Sequence, residues 1–163
     1  NNTVAQILLT REELEVPTRR EHMHNTLSRL LELGILPIIN ENDTVAVDEI
    51  LVGDNDTLSA LVAVLIEADT LLMLTDIDGF YSKDPHRFPD AQLLSEVSLS
   101  APGIDEAASG AGSERGTGGM QTKLAAARIA VNAGISTRII SGHDPDNLYR
   151  LYDGETIGTL FVP

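Results

Sequence analysis

The chain has 163 residues, enough for one domain with a substantial core and too few for two ordinary ones. Its 25 acidic side chains against 11 basic ones disfavour nucleic acid and anionic membranes as partners, and no apolar run reaches bilayer-spanning length, so a soluble globular protein is expected. Cysteine is absent, which excludes disulfides, thiolate metal sites and cysteine nucleophiles.

The first residues give no secretory signal, since Asn1 to Arg11 lacks a basic start and a long apolar run, and a cytoplasmic setting is expected. Gln6 to Thr10 has the apolar character of an element entered partway. From Thr18 the period becomes helical, with Met23, Leu27, Leu30 and Leu31 on one side, and Gly34 ends the helix. Ile35 to Ile39 reads as a short strand in which Pro37, unable to donate to a ladder, favours an edge or strand-start position. Asn40-Glu41-Asn42-Asp43 then stands at the C-terminal end of that strand, where open α/β sheets bind ligands.

Thr44 to Val47 and Ile50 to Val52 alternate around Asp48-Glu49 and suggest a small hairpin. Gly53-Asp54-Asn55-Asp56 follows, with Asp56 as the expected N-cap of a helix over Thr57 to Ala68 that is apolar nearly all round and therefore buried. Thr70 to Leu74 has the continuous apolar character of a central strand and ends in Thr75-Asp76-Ile77-Asp78-Gly79. Phe80 to Asp90 reads as loop, Leu93 to Val97 as a strand and Ile104 to Ala108 as a short helix. A helix over Met120 to Ala133, a strand over Thr137 to Ile140, a helix over Pro145 to Tyr152 and a strand over Gly158 to Val162 complete the chain. Alternating strands and helices predict an α/β fold, a three-layer α/β/α sandwich around a largely parallel sheet.

Gly116-Thr-Gly-Gly-Met-Gln-Thr-Lys123 is where the chemistry is expected. A glycine turn running into a helix N-terminus presents unpaired N–H groups and the positive end of the macrodipole, a site suited to phosphate. Lys123 in the first helical turn adds an ammonium and Thr122 a hydroxyl. By itself the stretch reads equally well as an irregular surface loop before a helix, because it has neither the Walker spacing nor the dinucleotide glycines. Lys123 and Lys83 are the two lysines of the chain, and the four histidines, His22, His24, His86 and His143, are expected to be solvated.

Taken in order and spacing, Asn40 to Asp43, Gly53 to Asp56, Thr75-Asp76 with Gly79, Gly116 to Lys123, and Gly158-Thr159-Leu160-Phe161 resemble the glutamate 5-kinase family of the amino acid kinase superfamily, over essentially the whole chain. The resemblance implies ATP-dependent phosphorylation of the side-chain carboxylate of L-glutamate, the first step of proline biosynthesis, with Mg²⁺ arriving on the nucleotide and no metal ligands from the protein. It places Asp43 and Asn55 on the glutamate, Thr75 and Asp76 on the nucleotide, and Thr117, Gly118, Gly119, Met120, Gln121, Thr122 and Lys123 along the phosphates. Lys123 becomes catalytic, with Asp56 either orienting it or serving only as a helix cap; Asp76 read alone is also compatible with a plain turn residue. Homo-oligomer assembly and proline feedback are themes the resemblance carries, although no residue here specifies them.

By this resemblance the chain is expected to correspond to the C-terminal part of the family's kinase domain, with no counterpart here of the family's N-terminal strand, lysine-containing glycine loop and substrate-holding serine loop, and no PUA-like domain is expected after Pro163. Two other readings stand beside the kinase. One is a non-catalytic nucleotide- or amino-acid-binding fragment, the other an enzyme of the same fold with another acceptor.

Overall fold

The computed structural model describes residues 2–45, 52–85, 87–109 and 119–163. Most of the expected hairpin around Asp48-Glu49, and also His86, Gly116, Thr117 and Gly118, lie outside the described residues.

Strand β1 (Val4–Leu9) pairs in parallel with β2 (Leu36–Glu41), in register from Val4 opposite Leu36 to Leu9 opposite Glu41. Between them run α1 (Arg11–Glu15) and α2 (Pro17–Glu32). The sequence reading did not anticipate α1, which is too short to show a period. Its start is set by Glu13, whose Oε2 accepts from both Thr10 N and Thr10 Oγ1 at 2.7 Å, and Pro17 opens α2 at a position where a missing N–H is harmless. Gly34 ends α2 at φ +68°, with Ile35 N donating to Leu30 O and Gly34 N to Leu31 O, a left-handed C-terminal turn.

Helix α3 (Asn55–Leu65) joins two hydrophobic cores. Leu58, Val62 and Leu65 pack with Leu9, Leu14 and Leu27 from β1, α1 and α2, while Ala60 and Ala63 pack into a larger cluster. That double duty explains why α3 is apolar nearly all round. The larger cluster lies against a second sheet of β3 (Thr70–Thr75), β4 (Glu96–Ser98), β5 (Ser136–Ser141) and β6 (Thr159–Val162), ordered β3-β5-β6-β4. The β3–β5 and β4–β6 pairs are parallel and β5–β6 is antiparallel. Helices α4 (Ile104–Ser109) and α5 (Met120–Asn132) pack on the same side as α3, and the 142–158 segment with α6 (Asp146–Tyr152) lies against the other, where Ile140 is fully buried and Gly158 abuts Ile139 and Ile140.

One expectation changes and one holds. The apolar run of β3 suggests a central strand, yet among the described residues β3 is the edge of its sheet and Leu74 is 48% exposed. Pro37 fits β2 well, because among the described residues β2 pairs on one side only. Between β2 and β3 is a cleft of about 520 Å³, floored by α3 and lined by Pro37, Ile39, Leu58, Val62, Ile66 and Leu71.

Candidate functional site

The C-terminal end of β2, the N-terminal end of α3 and the first turn of α5 enclose a polar cavity of about 430 Å³. Asn40, Glu41 and Asp43 come from the first, Gly53, Asp54, Asn55 and Asp56 from the second, and Lys123 from the third. Three segments far apart in sequence therefore meet where a strand end and two helix starts coincide. Helix starts expose N–H groups and favour negative ligands.

The cap of α3 is Asp54 rather than the expected Asp56. Asp54 has extended backbone and its carboxylate accepts from Thr57 N at 2.7 Å and Thr57 Oγ1 at 2.8 Å, so the helix begins at Asn55 and leaves Asp56 inside the first turn. Freed from capping, Asp56 points toward α5. Its Oδ2 lies 3.0 Å from Lys123 Nζ and accepts from Thr122 Oγ1 at 2.8 Å, and its Oδ1 lies 3.3 Å from the same ammonium. The side chains of Lys123 and Asp56 are 12% and 18% exposed, so the pair is shielded more than a surface ion pair and fixes the lysine at the cavity wall.

Four carboxylates surround this one ammonium. Asp54 is spent on the cap and Asp56 on Lys123. Glu41 accepts from Val52 N at 2.5 Å and from Gly53 N at 3.4 Å. Asp43, exposed in the turn after β2, has no hydrogen-bond or ion-pair partner among the described residues, which leaves it open to a cation. Asn55 beside it offers an amide that donates or accepts. Glu41 carried no assigned role in the sequence reading, since its partners are backbone N–H groups eleven and twelve positions later and no side-chain pattern marks them.

The remaining expected residues divide differently. Thr75 and Asp76 do not line the polar cavity; they end β3, where Thr75 Oγ1 donates to Asp76 Oδ1 at 3.0 Å. His143, expected to be merely solvated, sits 3.1 Å from the Asp76 carbonyl through Nε2, and Gly142 N donates to Thr75 O at 2.7 Å, so the ends of β3 and β5 are laced together there. Gly119 caps α5 with extended backbone at φ −84° and does not use the left-handed freedom of glycine. Met120 turns its side chain into the core, which limits any ligand contact to its backbone; Gln121 is exposed on the first turn of α5. Lys83 belongs to the 80–94 surface loop, 2.6 Å from Asp90 and 5.3 Å from the Phe88 ring centre.

Residues 1–141 match the model of the amino acid kinase family. The chain belongs to that family. Its sequence is 50% identical over 166 residues to the glutamate 5-kinase of Clostridium perfringens, a match covering 99% of this chain and 62% of that protein. The glutamate 5-kinase of Listeria monocytogenes is 51% identical, with 98% and 59% covered, and that of Caldanaerobacter subterraneus 52% identical, with 98% and 43% covered. This amino acid kinase chain thus spans 43–62% of the length of these relatives. Among solved structures, the isopentenyl phosphate kinase of T. acidophilum superimposes with a TM-score of 0.63 at 21% identity over 98% of this chain and 60% of its own. The UMP kinase of Bacillus anthracis gives 0.65 at 16% identity over 99% and 59%. The amino acid kinase α/β fold is therefore the one expected from the sequence.

Proposed function

We propose that this chain supplies the acceptor site and part of the nucleotide site of an ATP-dependent glutamate 5-kinase. The observation that carries the reading is the charge arrangement of the polar cavity: one ammonium held in place by Asp56, and one carboxylate, Asp43, left for a ligand cation. An amino acid has an α-ammonium for Asp43 and carboxylates for Asn55 and Lys123. The relatives named as glutamate 5-kinases, at 50–52% identity, support glutamate as that amino acid.

In the reaction, a side-chain carboxylate oxygen of glutamate forms a bond to the γ-phosphorus of ATP, the bond from that phosphorus to the bridging oxygen breaks, and ADP leaves with the electron pair. Lys123 would neutralise charge on the transferring group, and Asp56 with Thr122 would hold it in place. Thr75 and Asp76 would contact the nucleotide, with residues 117–122 along its phosphates. Mg²⁺ would be held mainly by phosphate oxygens and water, and would offset the repulsion between the triphosphate and the acidic cavity. Homo-oligomer assembly, proline inhibition and a cytoplasmic setting belong to the same proposal, read respectively from light scattering, proline titration of the rate, and cell fractionation.

The test uses the natural polypeptide at full length. Lys123→Ala is expected to lower kcat on the order of 10²-fold in glutamate-dependent ADP release, the usual loss for one transition-state donor. Unchanged turnover removes Lys123 from the mechanism. ATP binding without glutamate-dependent ADP release favours a non-catalytic binding protein. Aspartate or N-acetylglutamate outperforming glutamate overturns the substrate.

A further inference from the structure

Among the carboxylates of the polar cavity, Glu41 alone bridges its two main walls. One wall is the end of β2, which carries Asn40 and Asp43 and is tied to β1 by the bond from Asn42 N to Leu9 O at 2.7 Å. The other is the turn at Val52 and Gly53 that leads straight into Asp54, Asn55 and Asp56. Gly53 holds φ +96°, and a Cβ built there would meet no atom within 4 Å, so side-chain packing does not hold this residue in its left-handed conformation. Val52 beside it is buried in the core with Leu9 and Leu58, so packing holds that side of the turn, while at Gly53, which has no side chain to pack, hydrogen bonds fix the position. The cap of Asp54 secures the turn to the helix behind it, and Glu41 secures it to the strand in front, through Val52 N at 2.5 Å and Gly53 N at 3.4 Å.

We propose that Glu41 is a positioning residue that sets the separation between Asp43 and Asn55, and thereby the affinity for the amino acid substrate. The proposal rests on the glutamate kinase reading. It concerns a residue that need not touch substrate: both of its oxygens are directed at backbone N–H groups, and a carboxylate accepting two such bonds is a stiff link. Asp43 projects from one side of this link and Asn55 from the other. Loosening it lets the two ligand groups drift apart while Lys123 stays anchored to Asp56 on α3. The nucleotide end, at Thr75 and Asp76, lies outside this cavity and should not register the change.

The experiment measures both Michaelis constants, kcat and melting temperature for the full-length natural polypeptide and for Glu41→Ala and Glu41→Gln. Glu41→Ala is expected to raise KM for glutamate about tenfold, the equivalent of one lost charge-assisted hydrogen bond, and to leave KM for ATP within about twofold. Glu41→Gln keeps one carbonyl acceptor but sets an NH₂ against a backbone donor, so an intermediate rise of about threefold is expected. A fall in melting temperature with KM for glutamate unchanged would show a plain structural strut and overturn the proposal, as would equal rises in both Michaelis constants. Should Glu41→Ala fail to fold, Glu41→Gln decides by the same two constants. A wild-type polypeptide inert toward glutamate sinks the kinase reading instead; the link is then judged by amide exchange at Val52 and Gly53, whose acceleration in Glu41→Gln supports it and whose constancy rejects it.

Discussion

In β5, the adjacent residues Ile139 and Ile140 are both fully buried, whereas in β2 Ile39 is half-buried and its neighbour Ile38 is 54% exposed. Adjacent strand residues face opposite ways, so the contrast reports on layers. The β3-β5-β6-β4 sheet has α3 and α5 on one side and the 142–158 segment on the other; the β1–β2 sheet has helices on one side, and Val4, Leu8, Leu36 and Ile38 stand roughly half-exposed on its opposite face. The polar cavity sits where the two meet, at the N-terminal end of α3, which feeds both cores. A cavity placed there gets its helix-start donors from a well-packed element and its strand-end groups from a less enclosed one. Hydrogen bonds such as those of Glu41 therefore add to the packing of Ile39 and Val52 in holding the second set.

The largest expected effect strikes the enclosed sheet. At Gly158, φ is +66° and an added Cβ would lie 2.0 Å from Ile139 O, a distance no side chain tolerates. Gly158→Ala must therefore move backbone that packs on both sides, and a loss of roughly 3 kcal/mol or more is expected in urea denaturation. Gly34 has almost the same φ, +68°, but no atom within 4 Å of an added Cβ, so Gly34→Ala should cost only the left-handed backbone term of about 1 kcal/mol. Similar losses at the two positions would mean that the enclosed sheet is no tighter than the open one.

Much of this contrast is beyond the reach of the sequence. The apolar run of β3 does signal burial, and Leu71 and Met73 are buried, yet a run of residues does not say which strand lies beside it, so an edge strand read as central. Long elements were legible because periodicity accumulates: α2 and α5 stand close to where their apolar spacing and closing glycines put them, and α3 close to where its apolar run does, although it ends at Leu65 rather than Ala68. Boundaries were less so. Gly53-Asp54-Asn55-Asp56 contains three good capping residues, and only geometry shows that Asp54 takes the cap and releases Asp56 to hold Lys123. In α1 the signal was present, Thr10 followed three residues later by Glu13, but five residues give no period to attract notice. At the site, Asp43, Asn55, Asp56 and Lys123 come together as their clustering suggested, whereas Thr75 and Asp76 form a separate rim with His143.

A smaller effect probes how α1 is attached to the open sheet. Burial pushes the Glu13 carboxyl up, but bonds from Thr10 Oγ1, Thr10 N and Arg19 more than offset it, and the group ends below its ordinary 4.5. A carboxyl depressed on folding binds fewer protons in the native state, so its contribution is fully present above its unfolded pKa of 4.5 and is lost as pH falls through the lower folded value. Glu13→Gln should therefore lower stability by about 0.5 kcal/mol at pH 7 and by nothing once the pH is below both values, as seen in denaturation curves collected at each pH. A penalty that persists in strong acid would assign the effect to packing instead of charge.

The smallest effect is the most informative about the comparison itself. In the 163-residue chain Ile38 is 54% exposed, and Ile38→Thr should change stability by less than about 0.5 kcal/mol, since threonine keeps the β-branch that suits a strand and little apolar area is removed from cover. Leu27→Ala, at a fully buried position in the core on the other face of the same sheet, should cost about 2–5 kcal/mol and shows that the assay can register a loss there. The same pair of substitutions in the natural full-length polypeptide then reads the open face directly. If Ile38→Thr becomes costly by more than about 1 kcal/mol there, the outer face of β1 and β2 is covered by further chain, and the two sheets are equally enclosed in the whole protein. If it stays neutral, the face is bare in the whole protein too, and the difference between the sheets is a property of the fold rather than of the residues in hand.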